Sequence, residues 1–144
     1  MSATLDANLL LYASDETSPF HARALTFLDE LARSTSLVYV FWPTVMAYLR
    51  VATHASVFAR PLPGEAAIGN VEALLALPNV QTTGEHDRFW RTYREVTDAA
   101  PVHGNLVPDA HLVALMRENG VRTLWTNDRD FRRFDGIDVR DPFA

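Results

Sequence analysis

Apolar residues recur along this chain in two rhythms. Compact runs rich in β-formers, Ala3-Thr4-Leu5, Leu37-Val38-Tyr39-Val40, Thr123-Leu124-Trp125 and Ile137-Asp138-Val139, predict short strands. Between them the spacing is helical. Leu9-Leu10-Leu11-Tyr12 reads as a buried helical turn directly behind the first strand. Ala24, Leu25, Phe27, Leu28 and Leu31 form an apolar stripe that ends near Arg33 and is entered at Ser18-Pro19-Phe20, with Ser18 as N-cap and Pro19 in the first turn. Val45, Met46, Leu49 and Val51 predict a helix from Pro43 to about residues 52–54, and Ala66, Ile68, Val71, Leu74 and Leu75 predict one that Pro78 stops. Phe89, Trp90, Tyr93 and Val96 fall at helical spacing within 85–97, and 107–119 is a helix for which Gly120 supplies the C-terminal cap. Arg60-Pro61-Leu62-Pro63-Gly64 is a break, 100–105 is loop, and Asn79-Val80-Gln81 is too brief to assign.

Strands alternating with helices indicate an α/β domain, a mainly parallel sheet with helices on both faces. In such sheets ligands collect at the carboxyl ends of the strands. The length of 144 residues and the 48% hydrophobic content suit one domain spanning 1–144. The chain has no cysteine, which removes disulfides and thiolate metal sites and fits a reducing cytoplasm. No stretch has the apolar length of a membrane span, and the first residues lack the pattern of a signal peptide, so a cytoplasmic location is expected.

The polar residues at strand ends carry the candidate chemistry. Asp6 follows the first strand in Asp6-Ala7-Asn8, Asp109 opens the late helix in Pro108-Asp109-Ala110-His111, and Thr126-Asn127-Asp128-Arg129-Asp130-Phe131 leaves the strand at Trp125. Each alone has an ordinary explanation: a turn former for the first, a helix cap for the second. Together they bring hard oxygen ligands, without any thiolate, toward one sheet edge. That donor set suits Mg²⁺ or Mn²⁺ acting on phosphate.

With these motifs the chain resembles the PIN-domain ribonucleases, specifically the VapC-type toxins of bacterial toxin–antitoxin pairs. The resemblance extends over nearly the whole chain, including Ser18-Pro19-Phe20-His21-Ala22-Arg23-Ala24 and Leu49-Arg50-Val51-Ala52-Thr53. It implies a PIN-like three-layer fold and a Mg²⁺-dependent endoribonuclease, with Mn²⁺ as a substitute. It also implies a cognate antitoxin protein and a homodimer. Asp6, Asp109, Asp128 and Asp130 become the catalytic metal ligands, and Asn8, Thr126 and Asn127 the groups supporting them. Asp6 and Asp109 are the expected anchors, with the Asp128/Asp130 pair as the third corner. Metal-activated water would hydrolyse RNA to leave a 5′-phosphate and a 3′-hydroxyl. One departure stands out: family members carry a Glu ahead of a Leu-Arg pair in the helix after the second strand, and here Ala47 or Tyr48 occupies that place.

The net charge of −5 argues against a general nucleic-acid binder, yet all 13 basic residues are Arg and several crowd the C-terminal third. Arg129, Arg132 and Arg133 are the expected RNA contacts; solvated surface is their alternative role. His111 is expected to be packed or solvent-facing, His103 is placed to approach the acidic residues from its loop, and Trp42, Trp90 and Trp125 are expected in core or interface. A rival reading follows from the absent Glu: a degenerate PIN domain that binds protein or RNA with little catalysis. A phosphotransfer or dehalogenase-type domain with Asp6 as nucleophile ranks third, because the chain has no lysine.

Overall fold

The computed structural model describes residues 2–144; Met1 lies outside them. Five strands, β1 (Ser2–Leu5), β2 (Leu37–Phe41), β3 (Val80–Thr83), β4 (Thr123–Trp125) and β5 (Asp138–Arg140), form one sheet in the order β3-β2-β1-β4-β5. Every pairing is parallel. The helices are α1 (Ala7–Ser14), α2 (His21–Arg33), α3 (Trp42–Ala52), α4 (Gly64–Leu75), α5 (Phe89–Ala99) and α6 (Val107–Glu118), with two short 3-10 turns at Gly104–Leu106 and Arg129–Arg133.

Side-chain alternation along the strands feeds two apolar layers. Val38 and Val40 point with Leu5 into a cluster completed by Leu9, Leu10, Phe27, Val45 and Tyr48, from α1, α2 and α3. Phe41 and Leu124 point the other way, toward Val96 of α5 and the α6 residues Val113, Leu115 and Met116. The result is the helix–sheet–helix sandwich expected. α6 buries Ala110 and every residue from Leu112 to Met116, so it has no broad polar face and serves as a central support beneath the sheet.

Because all five strands run the same way, their carboxyl ends share one edge. Asp6 sits directly after β1, and Thr126 directly after the neighbouring β4; the Asp6 N–H donates to the Trp125 carbonyl at 3.0 Å and fixes the two ends side by side.

Two helix starts move, and two open readings are narrowed. β3 is a strand where the sequence permitted no assignment: Val-Gln-Thr-Thr has little apolar character, and its extension comes from pairing with β2, Val38 opposite Val80 through Phe41 opposite Thr83. α2 starts at His21 rather than at Ser18-Pro19, since the Ser18 hydroxyl accepts from the Phe20 N–H at 3.1 Å and closes a turn ahead of the helix. α5 starts at Phe89 rather than near residue 85, because the Glu118 carboxylate accepts the N–H groups of His86 and Arg88 at 2.9 and 3.0 Å and holds that stretch as loop. Trp42 and Trp90 are 43% and 65% exposed and so do not belong to the core of this chain, whereas Trp125 packs on Phe27 at 5.2 Å. Gly120 does cap α6, at a φ of 68° that favours glycine.

Candidate metal centre

Each acidic side chain is placed by a local rule. Asp6 is the N-cap of α1: its Oδ1 accepts from the Asn8 N–H at 3.3 Å, while Oδ2 accepts from the Asn8 amide at 3.5 Å. Oδ2 also accepts the Thr126 hydroxyl at 2.9 Å. Asp109 lies in the first turn of α6, where negative charge meets the positive end of the helix. It is not the cap, a position held by Leu106 without any side-chain hydrogen bond. Asp128 caps the 3-10 turn Arg129–Arg133, with Oδ1 accepting from the Asp130 N–H at 2.9 Å, and its own N–H donates to the Thr126 hydroxyl at 3.0 Å. Thr126 is thus a buried hub between the two strand ends.

Asp109, Asp128 and Asp130 come together: one carboxylate oxygen from each lies within 4.8 Å of the others. Asp6 is outside that trio, its oxygens engaged by Asn8 and Thr126, although its charge reaches both Asp128 and Asp109. The sequence ranked Asp6 and Asp109 as anchors with a loose third corner; the structure instead groups Asp109 with both members of the pair and sets Asp6 behind them.

Electrostatics mark the same spot. Burial pushes the Asp109 carboxyl up to about 6, helped by the charges of Asp128, Asp6 and Asp130 and opposed by Arg133. Asp6 is also raised, chiefly by burial and further by Asp128, while the hydrogen bonds from Thr126 and Asn8 pull the other way. Carboxylates that repel one another at the carboxyl edge of a parallel sheet, Asp109 and Asp128 partly buried and Asp130 exposed, fit a hard divalent cation with oxygen ligands.

The remaining candidates sort themselves. Arg133 is close enough to act on Asp109, and Arg129 and Arg132 are exposed in the same turn. Arg140 pairs with Asp138 at 2.7 Å and lies over the Trp125 ring. His111 is bound to Glu85 at 2.5 Å and meets Phe89 edge-on, which agrees with the packed role expected. His103 is exposed in its loop and is not part of the acidic trio. Of the two residues at the place of the missing Glu, Ala47 and Tyr48, the second is 2% exposed and its hydroxyl meets Ser14 Oγ at 2.7 Å and the Asn70 amide at 3.0 Å. That side chain belongs to a groove of about 400 Å³ lined by Leu10, Leu25, Leu28, Val71 and Leu74. One contact was invisible in the sequence: the Tyr12 hydroxyl meets the Asn127 amide across the chain. A tyrosine six residues after an aspartate carries no local signal of that pairing.

A sequence model described as the PIN domain matches residues 3–137. Ribonuclease VapC48 of Mycobacterium tuberculosis is 47% identical over 144 residues, covering 100% of this chain and 99% of that protein. Ribonuclease VapC37 of the same species is 37% identical over 133 residues, 92% of each chain. Among solved structures, VapBC2 from Rickettsia felis, bound to a DNA fragment from its promoter, superposes with a TM-score of 0.70 at 15% identity, covering 98% of both chains, and so supports the fold. By its matched sequence, its five-stranded parallel sheet and its full-length relatives, the chain belongs to the PIN-domain family, among the VapC-type ribonucleases.

Proposed function

We propose that this chain, as one PIN domain, is a divalent-metal-dependent endoribonuclease and the toxin of a toxin–antitoxin pair working in the cytoplasm. The observation that carries this reading is the convergence of Asp109, Asp128 and Asp130 within 4.8 Å, with Asp6 coupled to them from behind. Mg²⁺ or Mn²⁺, if held there, would supply a Lewis acid able to make a water more acidic and to offset charge gathering on the phosphate. Asp109, Asp128 and Asp130 would hold the ion, while Asp6 adds charge and orients the turn through Thr126. The C-terminal arginines, Arg129, Arg132 and Arg133, meet the phosphates of the RNA. No side chain serves as nucleophile, so hydrolysis leaves a 5′-phosphate and a 3′-hydroxyl. The missing Glu does not remove the centre, because the trio is built without any contribution from α3.

The partner reading follows from the groove. Its apolar lining from α1, α2 and α4, with Tyr48 of α3 at its floor, suits an amphipathic segment of an antitoxin. Exposed Trp42 and Met46, four residues apart on α3, offer a separate apolar surface for a second copy of the chain.

The test compares wild type with Asp6→Asn and Asp109→Asn for cleavage of RNA with Mg²⁺ or Mn²⁺ and after EDTA, mapping the product ends. Cleavage by wild type alone, lost with EDTA and leaving 5′-phosphates, supports the reading. Equal cleavage in every sample, or a 2′,3′-cyclic phosphate, overturns it.

A further inference from the structure

The C-terminal residues close over the junction of α1 and α2. Phe143 stacks on Phe20 with ring centroids 4.9 Å apart and planes 7° from parallel, and the Tyr12 ring packs against both, at 5.1 Å from Phe20 and 6.0 Å from Phe143. Arg23 locks the pair from outside: its guanidinium lies 5.1 and 5.2 Å from the two ring centroids and donates to the Phe143 carbonyl at 3.2 Å. Asp141 turns the chain into this position by accepting the Phe143 N–H at 2.8 Å.

The free end of Tyr12 points at the acidic turn. Its hydroxyl lies 3.5 Å from Oδ1, to which it donates, and 3.4 Å from Nδ2, from which it accepts, so either end of the Asn127 amide can bond it. Asn127 stands between Thr126, which binds Asp6, and Asp128, which belongs to the trio. The other bonds recorded for Asp128 are local, to Thr126 and to Asp130. Like charges in the trio repel one another, and the Tyr12 contact ties the turn to α1, far from it in sequence.

We propose that Phe143 is a positioning residue for the metal centre: it holds Tyr12 so that the hydroxyl seats Asn127 and fixes the Asp128 corner of the acidic trio. This rests on the metal-centre reading above. The aromatic cage alone would explain packing; the hydroxyl aimed at Asn127 is what connects it to the site. Outer-shell groups of this kind set ligand geometry and affect metal affinity through it.

The experiment uses the full chain and four variants, Tyr12→Phe, Phe143→Ala, their double and Phe143→Tyr, read by calorimetry with Mn²⁺ and by hydrogen exchange of the 126–131 amides without metal. Tyr12→Phe keeps the cage and removes only the hydroxyl, so it bypasses any folding defect of Phe143→Ala. Expected are a weakening of Mn²⁺ binding by roughly tenfold in Tyr12→Phe and in Phe143→Ala, faster exchange in the turn of both, no further loss in the double, and wild-type behaviour in Phe143→Tyr. A Phe143→Ala protein that melts earlier but binds Mn²⁺ and exchanges as wild type does would reduce the residue to packing and overturn the proposal. Unchanged Mn²⁺ affinity and turn exchange in Tyr12→Phe overturn it equally. If wild type itself takes up no Mn²⁺, the metal-centre reading falls and this proposal with it.

Discussion

The Thr126 hydroxyl donates to Oδ2 of Asp6 at 2.9 Å, joining residues 120 apart in sequence at the ends of two adjacent strands. Thr126 Oγ1 also accepts the Asp128 N–H at 3.0 Å, so one buried hydroxyl holds the first acidic position and orients the turn that carries the last two. Thr126→Val keeps the shape and deletes both bonds. It is expected to cost about 1–3 kcal/mol, the usual penalty for stranding buried polar partners, and to weaken Mn²⁺ binding. Urea unfolding with and without Mn²⁺ measures both, and Thr126→Ser should recover most of the loss. A Val variant as stable as wild type would show that the hub is dispensable.

Asp109 is predicted to trade stability for function. Its carboxyl is raised to about 6 by burial and by Asp128, Asp6 and Asp130, so its charge is disfavoured in the metal-free protein. Asp109→Asn relieves that repulsion and should leave metal-free stability at neutral pH equal to or above wild type. RNA cleavage should fall by roughly a hundredfold or more, the scale of losing a group that holds the reaction's electrostatics. Thermal melts and a cleavage assay on the same preparation decide it. A destabilised but active variant would contradict both halves.

The pH dependence follows from the same shift. An acid whose native value of about 6 lies above its ordinary 3.8 keeps its proton in the folded state when the unfolded chain has lost it. Its contribution to stability is therefore complete below 3.8 and is lost as pH rises through about 6. Asp6, raised in the same direction, adds to the trend. Metal requires the ionised carboxylates, so Mn²⁺ affinity should fall by about tenfold per pH unit below that value. Melting temperatures with and without Mn²⁺ are expected to diverge as pH increases. Parallel curves would remove the link between Asp109 and the ion.

An acid introduced at Tyr48 of α3 should not add a ligand to the acidic trio. Tyr48 is buried and its hydroxyl is engaged by Ser14 and Asn70 beneath the groove. Tyr48→Glu would place a carboxylate there without a cation, and a loss of about 2–5 kcal/mol is expected from unpaired buried charge. Denaturant unfolding reads the loss, and calorimetry should show no gain in Mn²⁺ affinity. Tighter Mn²⁺ binding in this variant would mean that α3 faces the metal after all.

The groove is expected to be separable from the acidic centre. Leu25 is 47% exposed and lines it. Leu25→Glu should abolish inhibition by the co-expressed antitoxin while RNA cleavage by the free protein stays within about twofold, since surface substitutions away from a site cost little. Cleavage assays with added antitoxin distinguish the two effects. Inhibition that survives the substitution would place the antitoxin elsewhere.

Which residues meet was only partly legible in the chain. The strands from β-branched runs, the helices from apolar spacing and the Gly120 cap depend on neighbours a few residues away, and they stand at or near their expected positions. The motifs at strand ends were equally local, because a parallel sheet delivers every strand's carboxyl end to one edge. What the sequence could not contain was distance. β3 is extended because β2 pairs with it, and α5 begins late because Glu118, 30 residues downstream, caps the loop before it. Asp6 steps back from the trio because Thr126 and Asn8 satisfy its oxygens, while Asp109, Asp128 and Asp130 are left to face one another. Local chemistry fixed which residues are acidic and at which strand or helix end they lie. Only tertiary packing decided which of them face one another, since that depends on where separate segments meet: α6 and the turn after β4 for Asp109, Asp128 and Asp130, and the ends of β1 and β4 for Asp6.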